Sequence, residues 1–437
     1  MTKIFGTDGI RCFVNQEPLT AETCLKISKT VAYLLRKKKN SNTRVVVCKD
    51  TRLSGYLYEP LITAGFISMG LDVILVGPLP TPAVPLLIKT LRADMGVMIT
   101  ASHNTYEYNG LKFFNSDGFK LSSKIEKNIE EIVLNEKKYS KIINLNYKSG
   151  KAMRLDDASG RYSEFLKSTL NKSIKTKKFK IVLDCANGAT YNIAPNLFWE
   201  LGHEVFVIND SPNGININYK CGAVDIKDLS KNVVKEKANI GFAFDGDGDR
   251  LIVVDERGKE IDGDKILALF SKFFIDKKSS VSKFDVITTV MSNLGFLEYL
   301  KNNLKLRIKK TDVGDINVIK EMNKSNSFLG GEQSGHLILS KFSNTGDGIL
   351  AALKIIEILS TTKKKASTMF NLYTNYPQIK LNIPYKKISN VKIDKIKKIK
   401  NINSNKMRSL IRFSGTESLI RILVEGKNKK EIQIYSK

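Results

Sequence analysis

Histidine is scarce in this chain, cysteines are scattered, long apolar runs are missing and acidic residues are outnumbered. Each shortage closes off a class of function. Three histidines, His103, His203 and His336, among 437 residues lie too far apart in sequence to announce a metal cluster. The five cysteines, Cys12, Cys24, Cys48, Cys185 and Cys221, form no CxxC pair and are odd in number. That argues against a disulfide framework and against a cysteine-ligated zinc. No apolar run approaches the roughly 18 residues of a membrane-spanning helix. The opening Met1-Thr2-Lys3-Ile4-Phe5-Gly6 lacks an apolar signal core. The expectation is a soluble, cytoplasmic protein with no membrane partner.

Against 71 Lys and Arg stand 44 Asp and Glu, a net charge of +27. Such an excess invites a nucleic-acid reading. The lysines are spread along the whole chain, however, and no nucleic-acid module accompanies them. Runs such as Arg36-Lys37-Lys38-Lys39 and Lys363-Lys364-Lys365 read as solvated helix ends or loops. No nucleic-acid partner is expected, whereas a small anionic substrate would be steered by this field.

The length exceeds one ordinary core, so two to four domains are expected. Short β-branched runs alternate with helical stretches. Arg44–Cys48, Asp72–Val76 and Met95–Thr100 read as strands, with helices at Leu57–Met69 and Thr81–Thr90 between them. This rhythm implies a mostly parallel sheet covered by helices. It restarts at Lys180 and again at Asp285. Linkers are expected near Tyr147–Lys151 and Ile252–Gly258, and a small α+β unit from about Ala366, with a helix candidate at Val391–Ile399. The fold class is α/β: three related mixed units, 1–150, 151–252 and 253–365, and a smaller α+β unit, 366–437.

Four polar loops each follow a strand-like run, where open α/β sheets bind ligands. In Thr100-Ala101-Ser102-His103-Asn104, small residues admit a phosphate beside a hydroxyl and an imidazole, and Lys112 follows. Alone, this loop reads better as a turn with a satisfied serine. Asp245-Gly246-Asp247-Gly248-Asp249-Arg250 can turn three carboxylates onto one cation. Glu256 stands at the twelfth position of an EF-hand count, but Arg250 takes the place that needs glycine and apolar β-rich runs flank the loop, so Mg²⁺ is expected over Ca²⁺. Gly330-Gly331-Glu332-Gln333-Ser334-Gly335-His336 suits sugar hydroxyls or an amine. Arg412-Phe413-Ser414-Gly415-Thr416-Glu417, with Arg421 beyond, makes a phosphate cradle.

Taken in order, with Phe5-Gly6-Thr7-Asp8-Gly9-Ile10-Arg11, Lys49-Asp50-Thr51-Arg52 and Asp184-Cys185-Ala186-Asn187-Gly188-Ala189, these loops resemble the phosphohexomutase superfamily over essentially the whole chain. Within it the sequence is most similar to the bacterial phosphoglucosamine mutases. The resemblance implies interconversion of glucosamine 6-phosphate and glucosamine 1-phosphate, an early step toward UDP-N-acetylglucosamine and peptidoglycan, by four domains around one cleft. It implies phosphorylated Ser102 as carrier, one Mg²⁺ on Asp245, Asp247, Asp249 and the Ser102 phosphate, and a sugar 1,6-bisphosphate as intermediate and activator. Arg11 and Arg250 would offset phosphoryl charge, and His103, Lys112 and His336 are acid–base candidates. Glu332, Ser334 and His336 would face the sugar. Arg412, Ser414, Gly415, Thr416 and Arg421 would hold the idle phosphate. A homodimer is implied as well.

The chain departs from that pattern at Cys12, Thr105, Ile316, Phe413 and Ser418. Ile316 stands where a basic residue is usual, and the usual last helix is expected to be missing. A phosphomannomutase or phosphoglucomutase, and a degenerate homologue that binds sugar phosphates without turnover, are the competing readings.

Overall fold

The computed structural model describes residues 3–6, 8–36, 43–143, 145, 147–171, 177–276, 284–384, 407–413 and 419–435. The first sheet holds β1 (Ile10–Phe13), β2 (Arg44–Lys49), β3 (Asp72–Pro78), β4 (Met95–Ile99), β5 (Tyr108–Asn115) and β6 (Ala152–Arg154), in the order β1-β5-β4-β2-β3-β6. Its centre is parallel, as the alternating rhythm predicts, while β5 runs antiparallel to both β4 and β1. The antiparallel pair arises because only eight residues separate β4 from β5, too few for a crossover helix.

The second sheet, β11-β10-β9-β7-β8, is built from β7 (Lys180–Asp184), β8 (Glu204–Ile208), β9 (Ile240–Phe244), β10 (Leu251–Asp255) and β11 (Glu260–Ile261). Here the expected linker at Ile252–Gly258 is corrected. Residues 252–255 are buried, paired with β9, and turn at Gly258 into β11. Val253 and Val254 fill the sheet, so the expected boundary at 252 falls inside a strand. The other expected linker leads into β6, which pairs with β3 and stays on the first sheet.

The third sheet, β13-β12-β14-β15, comprises β12 (Asp285–Thr289), β13 (Arg307–Thr311), β14 (Leu329–Gly331) and β15 (Leu337–Leu339). The fourth has β16 (Gln378–Pro384), β17 (Met407–Phe413) and β18 (Leu419–Gly426), in the order β16-β18-β17. A helix, Lys429–Tyr435, follows it. The helix candidate at Val391–Ile399 lies outside the described residues.

One apolar core runs through the first three units. It joins Val46, Val84 and Phe114 of the first to Tyr162, Leu183 and Phe244 of the second and to Leu267, Val286 and Leu353 of the third. Helix Gly348–Thr362 explains the continuity. Its sequence is apolar on nearly every side, and residues 348–360 are all buried, the pattern of a helix enclosed on all faces. Asp347 caps its start by accepting from the Leu350 N–H at 2.9 Å. Such shared packing holds the loops at the strand ends in fixed relation. No helix among the described residues is long and apolar enough to cross a membrane.

Candidate active site

Ser102 lies just beyond the C-terminal end of β4. Its backbone is left-handed, φ 51°, a region costly for a residue with a Cβ. The side chain is buried, and Oγ donates to Asp245 Oδ2 at 2.7 Å. His103 Nδ1 stands 3.4 Å from the same oxygen. Two structural bonds hold the loop's start: the Ser102 N–H donates to Thr100 Oγ1 at 2.9 Å, and Thr100 Oγ1 donates to Asp50 Oδ2 at 2.6 Å.

The acidic loop joins β9 to β10. A tight turn lets Asp245, Asp247 and Asp249 point one way, and one oxygen of each lies within 4.8 Å of the others. All three are buried. Lys112 supplies the nearest cation, with Nζ 2.8 Å from Asp247 Oδ2, 3.2 Å from Asp249 Oδ2 and 3.4 Å from Asp8 Oδ2. Thr81 Oγ1 also donates to Asp247 Oδ2, at 2.6 Å. Oδ1 of Asp247 and Oδ1 of Asp249 are buried with no hydrogen-bond partner. Three carboxylates, two of them with an unsatisfied oxygen, form an all-oxygen donor set that fits a hard divalent cation such as Mg²⁺.

The titration of the loop is split by its surroundings. Burial, then Asp249 and Asp247, pushes Asp245 well above the usual carboxylate range. Burial works in the same direction on Asp249, but Lys112, His336 and Arg250 outweigh it and hold Asp249 well below. Lys112 is raised well above its ordinary value, because its three carboxylates overcome the desolvation that opposes it. It is a fixed counter-cation rather than a ready base.

Two arginines flank the loop. Arg250 Nε is 3.9 Å from both Asp245 Oδ2 and Asp249 Oδ1, and buried without a hydrogen-bond acceptor. Arg11 donates to Asn104 Oδ1 at 3.0 Å and to Asp8 Oδ2 at 3.2 Å. Arg250, then burial and Arg11, depresses the His103 imidazole to about 2, so this ring is neutral near pH 7.

Loop 330–336 packs directly on the acidic loop. Gly335 (φ 90°) is required there, since a Cβ would lie 2.2 Å from the Leu251 carbonyl oxygen. Glu332 accepts from the Gly314 N–H at 3.0 Å and from Ser334 Oγ at 3.4 Å, and Ser334 is exposed. His336 is buried, with Nδ1 3.6 Å from Asp249 Oδ1 and Nε2 3.2 Å from the Gly346 nitrogen. Despite burial, the acids around it, Asp249 foremost, raise it to about 9.

Arg412 and Arg421 are direct cross-strand partners on β17 and β18. Like charges so placed repel, and Arg412 is lowered by burial and by Arg421, while Glu332 counteracts. The strand geometry therefore builds a site that favours an anion. Glu332 acts electrostatically on both Arg412 and Arg250, so these three side chains of the second, third and fourth units share one field. Ser414, Gly415 and Thr416 lie outside the described residues. Ile316 is half-buried on the first turn of helix Asp315–Ser325, beside Asp315, whose carboxylate pairs with Lys120.

Sequence reasoning missed several members. Arg52, Asn218, Thr81 and Lys120 all hold the site together, and Asp8 joins Arg11, Lys112 and Lys120. Asp50 and Arg52 stood within a quoted motif, but nothing in their spacing assigned them a task.

Four family models match in succession. They are phosphoglucomutase/phosphomannomutase alpha/beta/alpha domain I at residues 2–140, domain II at 160–258, domain III at 262–376, and the C-terminal domain at 379–435. A phosphoglucomutase/phosphomannomutase family protein from Burkholderia thailandensis has the same fold, with a TM-score of 0.84 at 23% identity over 99% of this chain and 95% of that one. The N-acetylphosphoglucosamine mutase of Aspergillus fumigatus, solved with GlcNAc-6P and magnesium, gives 0.65 at 18% identity over 98% and 93%. Fold and family models together define a phosphohexomutase.

Curated relatives narrow the class. The phosphoglucosamine mutase of Desulfotalea psychrophila is 45% identical over 99% of this chain and 96% of its own length. That of Pelobacter propionicus is 43% identical over 100% and 97%. The chain belongs to the phosphoglucosamine mutase family, whose members are isomerases of the phosphohexomutase type.

Proposed function

We propose that this protein interconverts glucosamine 6-phosphate and glucosamine 1-phosphate, with Ser102 carrying the phosphoryl group. The observation that carries the reading is the Ser102 hydroxyl, buried and hydrogen-bonded to Asp245 at the mouth of the three-aspartate loop. A phosphate on that oxygen adds negative charge beside three carboxylates. It therefore demands a cation, and the unsatisfied oxygens of Asp247 and Asp249 supply a seat for one. Asp245, Asp247 and Asp249 would hold Mg²⁺ together with the phosphoserine, and the ion would neutralise charge on the transferred group.

Phosphoryl transfer depends on alignment and charge compensation. Arg11 and Arg250 flank Ser102 and offset phosphoryl charge. Glu332 and Ser334 receive the sugar, and Arg412 with Arg421 hold the phosphate that is not moving. The phosphate leaves the Ser102 oxygen for the free hydroxyl of the sugar phosphate, and that hydroxyl's proton passes to a base of the site. The 1,6-bisphosphate then presents its other phosphate to Ser102, regenerating the phosphoserine. Lys112 stays charged throughout, and His103, neutral at working pH, has no proton to give as an acid and binds one only weakly while Arg250 and Arg11 face it. A cytoplasmic homodimer with a bisphosphate activator completes the reading.

The test is an assay of purified protein with Mg²⁺ and a hexose 1,6-bisphosphate on glucosamine 6-phosphate, glucose 6-phosphate and mannose 6-phosphate. Preference for glucosamine 6-phosphate supports the proposal. Preference for mannose 6-phosphate overturns the substrate, and no turnover of any sugar overturns the activity.

A further inference from the structure

The Ser102 hydroxyl is held by its bond to Asp245 Oδ2 and by the longer contact with His103 Nδ1. What holds its backbone lies beneath the loop. Arg52 is 1% exposed, and its Nε donates to Asp50 Oδ2 at 2.9 Å. Its remaining N–H groups reach the carbonyl oxygens of Ser102 at 3.0 Å, Asn104 at 2.7 Å and Tyr108 at 3.0 Å, and that of Thr105 as well. From the second unit, Asn218 Nδ2 donates to two of the same carbonyls, Ser102 at 2.8 Å and Asn104 at 2.8 Å. Two acceptors facing the amide fix its orientation, since a flipped oxygen would face two oxygens.

Asn218 is built to be there. It is 3% exposed, has φ 58°, and its own N–H donates to the Ala186 carbonyl at 2.9 Å. Asparagine tolerates this left-handed conformation better than most residues. The acidic loop closes on the same point. A Cβ on Gly246 would lie 2.6 Å from Asn218 Nδ2 and 2.7 Å from the Ser102 carbonyl oxygen. The left-handed Ser102 backbone costs energy and persists only where its surroundings over-determine it. Here they do so from two units at once.

We propose that Asn218, together with Arg52, is a positioning residue for the phosphoryl-carrying serine. Resting on the Ser102 reading above, the inference adds that the second unit aims the carrier of the first. Both residues lie under the loop, so neither contacts the substrate. Their loss releases the Ser102–Asn104 carbonyls and lets Oγ swing from Asp245.

Three variants test this: Asn218→Gly, which keeps the backbone conformation and removes the amide; Asn218→Asp, which sets a carboxylate against two carbonyls; and Arg52→Lys, which keeps the charge and loses the fork. In Asn218→Gly, kcat is expected to fall about 100-fold, as misplacement near 1 Å does, with KM for glucosamine 6-phosphate within about two-fold. Asn218→Asp falls at least as far, and Arg52→Lys shows the same split. A lower melting temperature with kcat per folded molecule unchanged would mean a purely structural role and overturn the proposal. So would a raised KM with unchanged kcat. A crystal structure of Asn218→Gly gives a readout independent of turnover. Ser102 is expected to leave the left-handed region, and an unmoved Ser102 refutes positioning even if the wild-type protein turns over no sugar. If the glycine variant does not fold, Arg52→Lys carries the same two readouts.

Discussion

Lys112→Met isolates the electrostatics of the site. Lys112 is 2% exposed and its ammonium lies between Asp247, Asp249 and Asp8. At 2.8 Å and an effective dielectric of about 20, the attraction to Asp247 alone is roughly 6 kcal/mol before desolvation. Removing one partner of a buried pair costs about 3–5 kcal/mol net, because the other charges stay buried. Methionine fills similar space, so the loss is one of charge rather than packing. At roughly 1 °C per kcal/mol for a chain of 437 residues, the melting transition in EDTA is expected to fall by about 3–5 °C. Adding Mg²⁺ then separates the charge argument from any generic damage. In the wild-type protein, Lys112 already neutralises part of the charge on the carboxylate oxygens of Asp247 and Asp249 that the ion would meet. In the variant these oxygens have lost their counter-cation, so Mg²⁺ raises the melting temperature more than it raises that of the wild type. Saturation at 100 times Kd contributes about 2.7 kcal/mol. Differential scanning fluorimetry with EDTA and with MgCl₂ provides the readout. A variant that melts with the wild type in EDTA, or that gains no more from Mg²⁺, refutes the reasoning.

Four other outcomes are expected. Ser102→Ala removes the phosphoryl carrier and lowers mutase activity by roughly three orders of magnitude or more, read in a coupled assay; retained turnover defeats the mechanism. Gly246→Ala drives a methyl against the Ser102 carbonyl, Asn218 Nδ2 and Ile217, so kcat drops while the fold, followed by circular dichroism, persists. Glu425→Gln leaves Arg408 charged in the buried contact where its side chain reaches the carbonyls of Val290 and Ser292; the cost is about 3–5 kcal/mol, seen as an earlier melting of the C-terminal unit. His203 is held neutral by burial, its pKa down at about 4 from 6.5. The unfolded chain takes up that proton first as pH falls, so the contribution to stability is complete above 6.5 and lost between 6.5 and 4. His203→Gln is expected to flatten the dependence of melting temperature on pH in that window, and an unchanged slope refutes the assignment.

The chain wrote its chemistry locally and its geometry remotely. The aspartate spacing at 245, 247 and 249 is a property of six consecutive residues, and a glycine-punctuated turn between two strands orients them the same way wherever it folds. Strand-forming runs such as Arg44–Cys48 and Lys180–Asp184 were legible for the same reason, because a short, β-branched apolar run is a local feature. So was the placing of each polar loop at a strand end. The strand at 252–255 was misread because turn residues at 256–258 resemble a linker until a partner strand is present to pair with.

Other features had no local sign. Lys112 sits in β5, 135 residues from Asp247, and its three carboxylates meet only when two sheets dock. The facing of Arg412 and Arg421 depends on the register of β17 against β18. The contact of His336 with Asp249 depends on how loop 330–336 packs on the acidic loop. Asn218 and Arg52, 166 residues apart, share two carbonyl oxygens of one loop. Sequence by itself determined which residues can bind phosphate, metal and sugar, because that follows from side-chain chemistry and short-range turns. Only the tertiary structure decided which charges compensate one another and what aims Ser102, because those depend on distances between segments far apart in the chain.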